Sequence, residues 1–90
     1  MRLSYDPAKN ERNIRERGLS FELVGELDWV TAIAMEDTRR EYGEKRIRIL
    51  ALLLRRLYVA VVTIRGDTTH VISLRKANDR EIKHYEQLQS

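Results

Sequence analysis

The sequence predicts an α+β fold: two N-terminal helices packed on a mostly antiparallel sheet of four to five strands, followed by a C-terminal helix. Three observations predict it. Capped helical segments stand near both ends of the chain, two before its middle and one after. The middle carries four β-rich runs separated by short polar stretches, the pattern of a meander. Its apolar residues also run too continuously for a sheet wetted on one side, so helices must be laid against it.

In chain order, Arg2–Tyr5 is a short extended opening. Asp6 is an N-cap and Pro7 sits at the first helical position, where its missing N–H costs nothing. The helix should run to about Arg17, with Gly18 placed to end it. Only Ala8 and Ile14 offer it apolar contacts, so most of its surface should meet solvent or a partner. Ser20 caps a second helix in which Phe21, Val24 and Leu27 share a core-facing side. Asp28-Trp29 ends that helix. Val30–Asp37 then reads as a strand of moderate strength, and Thr38–Gly43 as a polar loop.

Arg46–Leu54 and Leu57–Arg65 are two strands joined around Arg55-Arg56, in a turn that contains no glycine. Arg46 and Arg48 alternate with Ile47 and Ile49 before the sequence becomes continuously apolar, as in a central strand covered on both faces. Ile64–Thr68 supplies the next turn, with Gly66 free to take a positive φ. His70–Arg75 is the last strand. Asn78 and Glu81 form a capping box that opens the last helix, with Ile82 and Tyr85 on its inner side. Leu50, Leu52, Leu53, Leu54, Leu57 and Val59 outnumber what the short polar helices should cover, so part of that surface is expected to be an interface.

Composition bounds the function. The 90 residues suit one small domain, 1–90, with a single core. They are 42% hydrophobic and 34% charged, which argues against disorder. A net charge of +3 and a pI near 9.5 suit a nucleic acid or an acidic protein partner without requiring either. There is no cysteine, which excludes disulfides and thiolate metal sites. The longest apolar run, Ile49–Leu54, is far below the roughly 20 residues of a membrane span. With no signal-peptide pattern at the start, a cytoplasmic protein is expected. Metalloprotease, P-loop and nucleophile-elbow motifs are missing.

The ordered set Asp6, Lys9-Asn10, Asn13, Gly18 and Ser20-Phe21-Glu22, then Glu36-Asp37, Gly43-Glu44-Lys45-Arg46, Val61, Thr63, Arg65, Ile72-Ser73, Arg75-Lys76-Ala77 and Glu81 to Tyr85 resembles the BrnT-type toxins of bacterial type II toxin–antitoxin modules. The resemblance spans nearly the whole chain. It implies a compact RelE-like fold and a ribonuclease that blocks translation. It also implies a cognate antitoxin of the BrnA type, whose ribbon-helix-helix part binds operator DNA for the complex, so that DNA is reached only through the antitoxin. A hetero-tetramer with that antitoxin is a further implication. Three positions depart from the family pattern: Arg17 where a His is frequent, Val62 where a Tyr is common, and the glycine-free turn at Leu53–Arg56.

Metal-independent cleavage of RNA needs a base for the 2′-OH, positive charge on the transition state and an acid for the leaving oxygen. No metal or other cofactor is expected. Arg65, Arg75, Lys76 and Arg80 are candidates for the charge, since arginine grips two phosphate oxygens at once. Some of these cations also read as partners of Glu44, Asp79 or Glu81. Tyr85 is a candidate proton donor or stacking group, with core packing an equal reading. Glu44 is a candidate base, or a support for Arg46 or Arg65. Six basic or titratable side chains, Arg65, Arg75, Lys76, Arg80, Lys83 and His84, stand close together in the sequence and read as one cluster. Of the two imidazoles His84, and not His70, lies beside it, and an exposed helix histidine also reads as plain surface. Lys9, Asn13, Arg46, Lys83 and His84 are candidates for RNA binding. The face formed by Lys9, Asn10, Arg12 and Asn13 reads equally as a contact surface and as asparagines tying down a neighbouring loop. A non-catalytic RNA-binding module, or a co-repressor of its own operon, is the alternative to the enzyme.

Overall fold

A computed structural model describes residues 1–90. Strand β1 (Arg2–Tyr5) leads into helix α1 (Pro7–Arg17) and a 3-10 segment, Phe21–Glu26. Strands β2 (Ile33–Asp37), β3 (Arg46–Leu53), β4 (Arg56–Arg65) and β5 (Thr68–Lys76) follow, then helix α2 (Asp79–Gln89). The five strands form one sheet in the order β1-β5-β4-β3-β2. It is mixed: β1 runs parallel to β5, and every other pair is antiparallel.

Each cap has its physical cause on display. Asp6 accepts from the Ala8 N–H at 2.9 Å, and Gly18 closes α1 at φ 70°, a conformation that costs glycine nothing. The capping box of α2 is complete, with Glu81 N–H to Asn78 and Asn78 N–H to Glu81 both at 2.9 Å. The segment after Ser20 is not the α-helix that its spacing suggests. It is a single stretch of 3-10, still burying Phe21 and Val24, and Leu27 beyond it continues extended. Gly25 within it and the early return to β3, through Asp28 N–H to Leu52 C=O at 2.8 Å, keep it short. The strand expected from Val30 begins only at Ile33.

Strand alternation builds two cores, one on each face of the sheet. Ile49, Ala51, Ala60, Val62, Val71 and Leu74 point one way and pack on Leu19, Phe21, Val24 and Leu27. Leu50, Leu57 and Val59 point the other way and pack on Ala77 and Tyr85 with Ile82 of α2. This is why the middle of β3 reads as unbroken apolar sequence. Strict period two fails once. Val61 pairs with Ser73 and Val62 with Val71, so Ile72 is an extra residue in β5. That bulge lets Val71 and Leu74, three apart, share one core. The leucines expected to form an interface divide as well. Leu50, Leu57 and Val59 are covered by α2, and Leu54 in the β3–β4 turn stands 92% exposed.

Helix α1 is held by hydrogen bonds rather than by an apolar stripe. Ala8 and Ile14 are exposed, and its one buried residue is Asn13. The Asn13 amide donates to the carbonyls of Leu19 at 2.9 Å and Leu74 at 3.0 Å, pinning the helix to the edge of β5 beyond the end of β1. The side-chain oxygen of Asn10, Oδ1, accepts from Phe21 N–H at 2.8 Å.

Replacing Asn13 by Ala strands both carbonyls, so the urea midpoint of Asn13→Ala should fall by the equivalent of about 2 kcal/mol. In the two-residue turn between β3 and β4, Leu54 and Arg55 take φ of 48° and 68°, values that a type I′ turn imposes and asparagine and glycine accept readily. Leu54→Asn combined with Arg55→Gly should raise stability by about 1 kcal/mol with an unchanged denaturant slope.

Candidate functional site

The face of the sheet that carries α2 is only partly covered. By alternation, the row under the helix is Ile33, Leu50, Val59 and Arg75, and the next row is Met35, Arg48, Val61 and Ser73. A third row holds Thr63, His70 and Ser4, and a fourth holds Arg65, Thr68 and Arg2. Arg46 lies on the same face of β3, two residues before Arg48. Beside Met35 and Val61, the rows beyond α2 therefore carry arginines, hydroxyls and a histidine.

Where α2 meets this open area, a cleft of about 400 Å³ is lined by Met35, Arg48, Leu50, Asn78, Arg80, Glu81 and His84. Arg75 lies at its margin and is not free. Its guanidinium makes two bonds of 2.8 Å to the Glu81 carboxylate, which also accepts from Asn78 N–H. The Arg75 bonds are the main reason that the Glu81 carboxyl titrates low, at about 2, and the same pair raises Arg75 above its ordinary value. Arg48 and Arg80 have no ion pair, so they are the uncommitted cations of the cleft.

At the far end of the open face, Arg65 approaches Glu44 at 3.4 Å, both exposed enough for water to weaken the pair. Arg46 lies over the Tyr42 ring at 4.1 Å, and its buried Nε donates to nothing in the protein. Tyr42 is itself held, its hydroxyl donating to Asp37 at 3.1 Å. Asp37 also takes two bonds of 2.9 Å from Arg39, which hold its carboxyl well below the usual carboxylate range. His70 Nδ1 lies 2.8 Å from Ser4 Oγ. Burial, then the neighbouring Arg65 charge, lowers the His70 pKa from its ordinary value.

A second cleft, about 260 Å³, lies between α1 and the bulge of β5, lined by Lys9, Arg12, Asn13, Glu16, Arg17, Phe21, Ile72 and Ser73. Asn13 lines it but is 6% exposed, its amide spent on the fold. Arg17 donates to Asn13 at 3.1 Å, so it braces the same anchor. Val62 is in the larger core and not on the open face.

The sequence-level candidates thus part company. Arg80 and His84 line the first cleft with Arg75 at its edge; Arg65, Glu44 and Arg46 gather at the other end of the same face; Lys9 stands in the second cleft. Lys76, next to Arg75 in an alternating strand, turns to the opposite face. Lys83 is exposed on α2 and lines neither cleft. Tyr85 is 6% exposed and donates to the Thr31 carbonyl at 3.1 Å; it anchors α2 and faces no solvent. Sequence reading missed Arg48 and set His70 aside. The Arg-Ile-Arg-Ile alternation at Arg46–Ile49 was the available signal, because two arginines on one side of a central strand require that side to be open. No group of three or more His, Asp or Glu side chains is placed to hold a metal ion, and no helix is long and apolar enough to cross a membrane.

Comparison with known proteins gives one family. The family model described as "Ribonuclease toxin, BrnT, of type II toxin-antitoxin system" matches residues 5–81. A search of curated proteins finds no match.

The Arg75–Glu81 pair yields a pH prediction. Folding lowers the Glu81 pKa from an ordinary value near 4.5 to about 2, so the stabilisation is complete above 4.5 and is lost as pH falls toward 2. Thermal midpoints of Glu81→Gln should therefore fall less steeply over that window than those of the unaltered chain.

Proposed function

Since this chain belongs to the BrnT family of ribonuclease toxins of type II toxin–antitoxin systems, we propose that it is a metal-independent endoribonuclease that inhibits translation. We read residues 1–90 as one toxin domain with a RelE-like fold. The observation that carries the reading is the half-covered sheet face, where Arg48 and Arg80 stand without counter-ions at the edge of α2. A phosphodiester laid over this face meets guanidinium groups that bind its oxygens and stabilise the charge that grows on them as the bond breaks. Arg65 and Arg46 extend the same charge along the strand. The substrate is cytoplasmic RNA. A BrnA-type ribbon-helix-helix antitoxin neutralises the toxin, assembles with it as a hetero-tetramer, and brings the complex to operator DNA.

Induced expression of the chain alone should arrest growth. The pair Arg48→Ala and Arg80→Ala should relieve the arrest while leaving the thermal midpoint nearly unchanged, because neither side chain is ion-paired. The purified chain should cleave RNA equally well with and without EDTA. A folded chain that neither arrests growth nor cleaves RNA would favour the non-catalytic co-repressor, and cleavage that stops in EDTA would refute metal independence.

A further inference from the structure

Cleavage through the 2′-OH requires a group that accepts its proton within reach of the cations that hold the phosphate. The carboxylates of the open face are poorly suited. Glu81 and Asp37 are each locked by paired bonds to an arginine and titrate low. Glu44 faces Arg65 across an exposed 3.4 Å pair, and its charge repels a phosphate bound at that arginine. Tyr85 is buried. Two imidazoles remain, and they differ in how they are held. His84 is exposed on α2 and makes no hydrogen bond to the protein. His70 is half-buried in β5, where the parallel β1–β5 register sets it directly beside Ser4 and the hydroxyl lies 2.8 Å from Nδ1.

We propose that His70, oriented by Ser4, is the general base of this chain, with Arg65 as the cation nearest the reacting phosphate; this rests on the ribonuclease reading above. Ser4 engages Nδ1 and so leaves Nε2 as the nitrogen for substrate. With Nδ1–H donating to Ser4 Oγ, Nε2 holds a free electron pair. His70 pairs with Thr63 across β4, and Arg65 is two residues further along that strand on the same face, a diagonal separation of about 7–8 Å between backbones. That leaves room for a phosphate held by Arg65 with its neighbouring ribose over His70. Nε2 takes the 2′-OH proton, and the 2′-oxygen uses the released pair to form a bond to phosphorus. The bond from phosphorus to the 5′-oxygen breaks, its pair stays on that oxygen, water gives that oxygen a proton, and the hydroxide left takes the proton from Nε2 and restores the neutral base. The products are a 2′,3′-cyclic phosphate and a 5′-hydroxyl end, with no change of oxidation state.

The groups around His70 agree with this role. Arg65 from β4 and Lys9 from α1 oppose a positive ring, while Glu44 ahead of β3 and Asp6 ahead of α1 favour it, and burial adds to the first pair. Burial leads the balance, which lowers the His70 pKa and so favours the neutral ring, the form that a base must take.

The test uses a mixed-sequence RNA, free and in a translating extract, with the unaltered chain and the variants His70→Asn, Ser4→Ala and His84→Ala. His70→Asn should lower the cleavage rate by at least about 100-fold while RNA affinity, measured by anisotropy, stays within a few-fold. Ser4→Ala removes the acceptor for Nδ1–H, so the acidic limb of the kcat/KM profile should move to lower pH, with kcat falling and KM little changed. A purely structural Ser4–His70 bond would shift the thermal midpoint and leave that limb in place. A 2′-deoxy substitution at the cut nucleotide should block the reaction. Cleavage that survives His70→Asn, or that is abolished by His84→Ala instead, overturns the assignment and leaves the ribonuclease intact. No cleavage by the unaltered chain in either setting overturns both.

Discussion

The helix that covers one face of the sheet is too short for it. Helix α2 has 11 residues, about 16 Å of length, whereas β4 alone has 10 residues in extended form, about 33 Å. A helix of that length protects one end of the strands beneath it and no more. Leucines and valines fill the protected end, and the remainder of the face must be able to meet water. Arg46, Arg48, Arg65, His70 and Ser73 occupy it because strand alternation has to place something there that hydrates well. Thr63 among them is buried, with its hydroxyl donating to the Lys45 carbonyl at 2.8 Å. The fold therefore creates a charged platform by leaving part of a sheet uncovered.

Much of the rest follows from how the other side is closed. The 3-10 segment and its neighbours bury Phe21, Val24 and Leu27 against the opposite face, and α1 is tied on by the Asn13 amide instead of by leucines. A buried amide that satisfies two carbonyls also fills the place beside β5 that the short β1 leaves vacant, where the carbonyl of Leu74 would otherwise lack a partner. The helix surface is then free to stay polar. Lys9 and Arg12 line the second cleft from there, beside Ile72 and Ser73 at the β5 bulge.

Charge alone does not identify the working residues of such a surface; pairing does. Arg75 and Arg39 are as basic as Arg48, yet each is held in two bonds by one carboxylate, and their net effect is to fix a helix start and a loop. Arg48 and Arg80 are not held, and Arg65 faces Glu44 only across an exposed 3.4 Å pair. These are the groups with binding capacity left for a phosphate. The large titration shifts of Glu81 and Asp37 record the rigidity of the platform rather than a reactive group.

The sequence by itself determined the α+β class, the caps of α1 and α2, the central β3–β4 pair and the family resemblance, because each is written in residues that are neighbours in the chain. Asp6-Pro7, Asn78 with Glu81, and Gly66 act within a few residues of themselves. Tertiary structure decided the remainder. The burial of Asn13 and Tyr85 depends on partners more than 50 residues away along the chain, Leu74 for Asn13 and Thr31 for Tyr85, and the bulge at Ile72 depends on the register that β5 takes against β4. The same holds for the site. Six basic side chains close together in sequence suggested one cluster, but alternation sends Lys76 to the far face, Glu81 claims Arg75, and Arg48 and His70 arrive from other strands. Sequence proximity orders residues along a line, whereas pairing register and strand direction decide which of them share a surface.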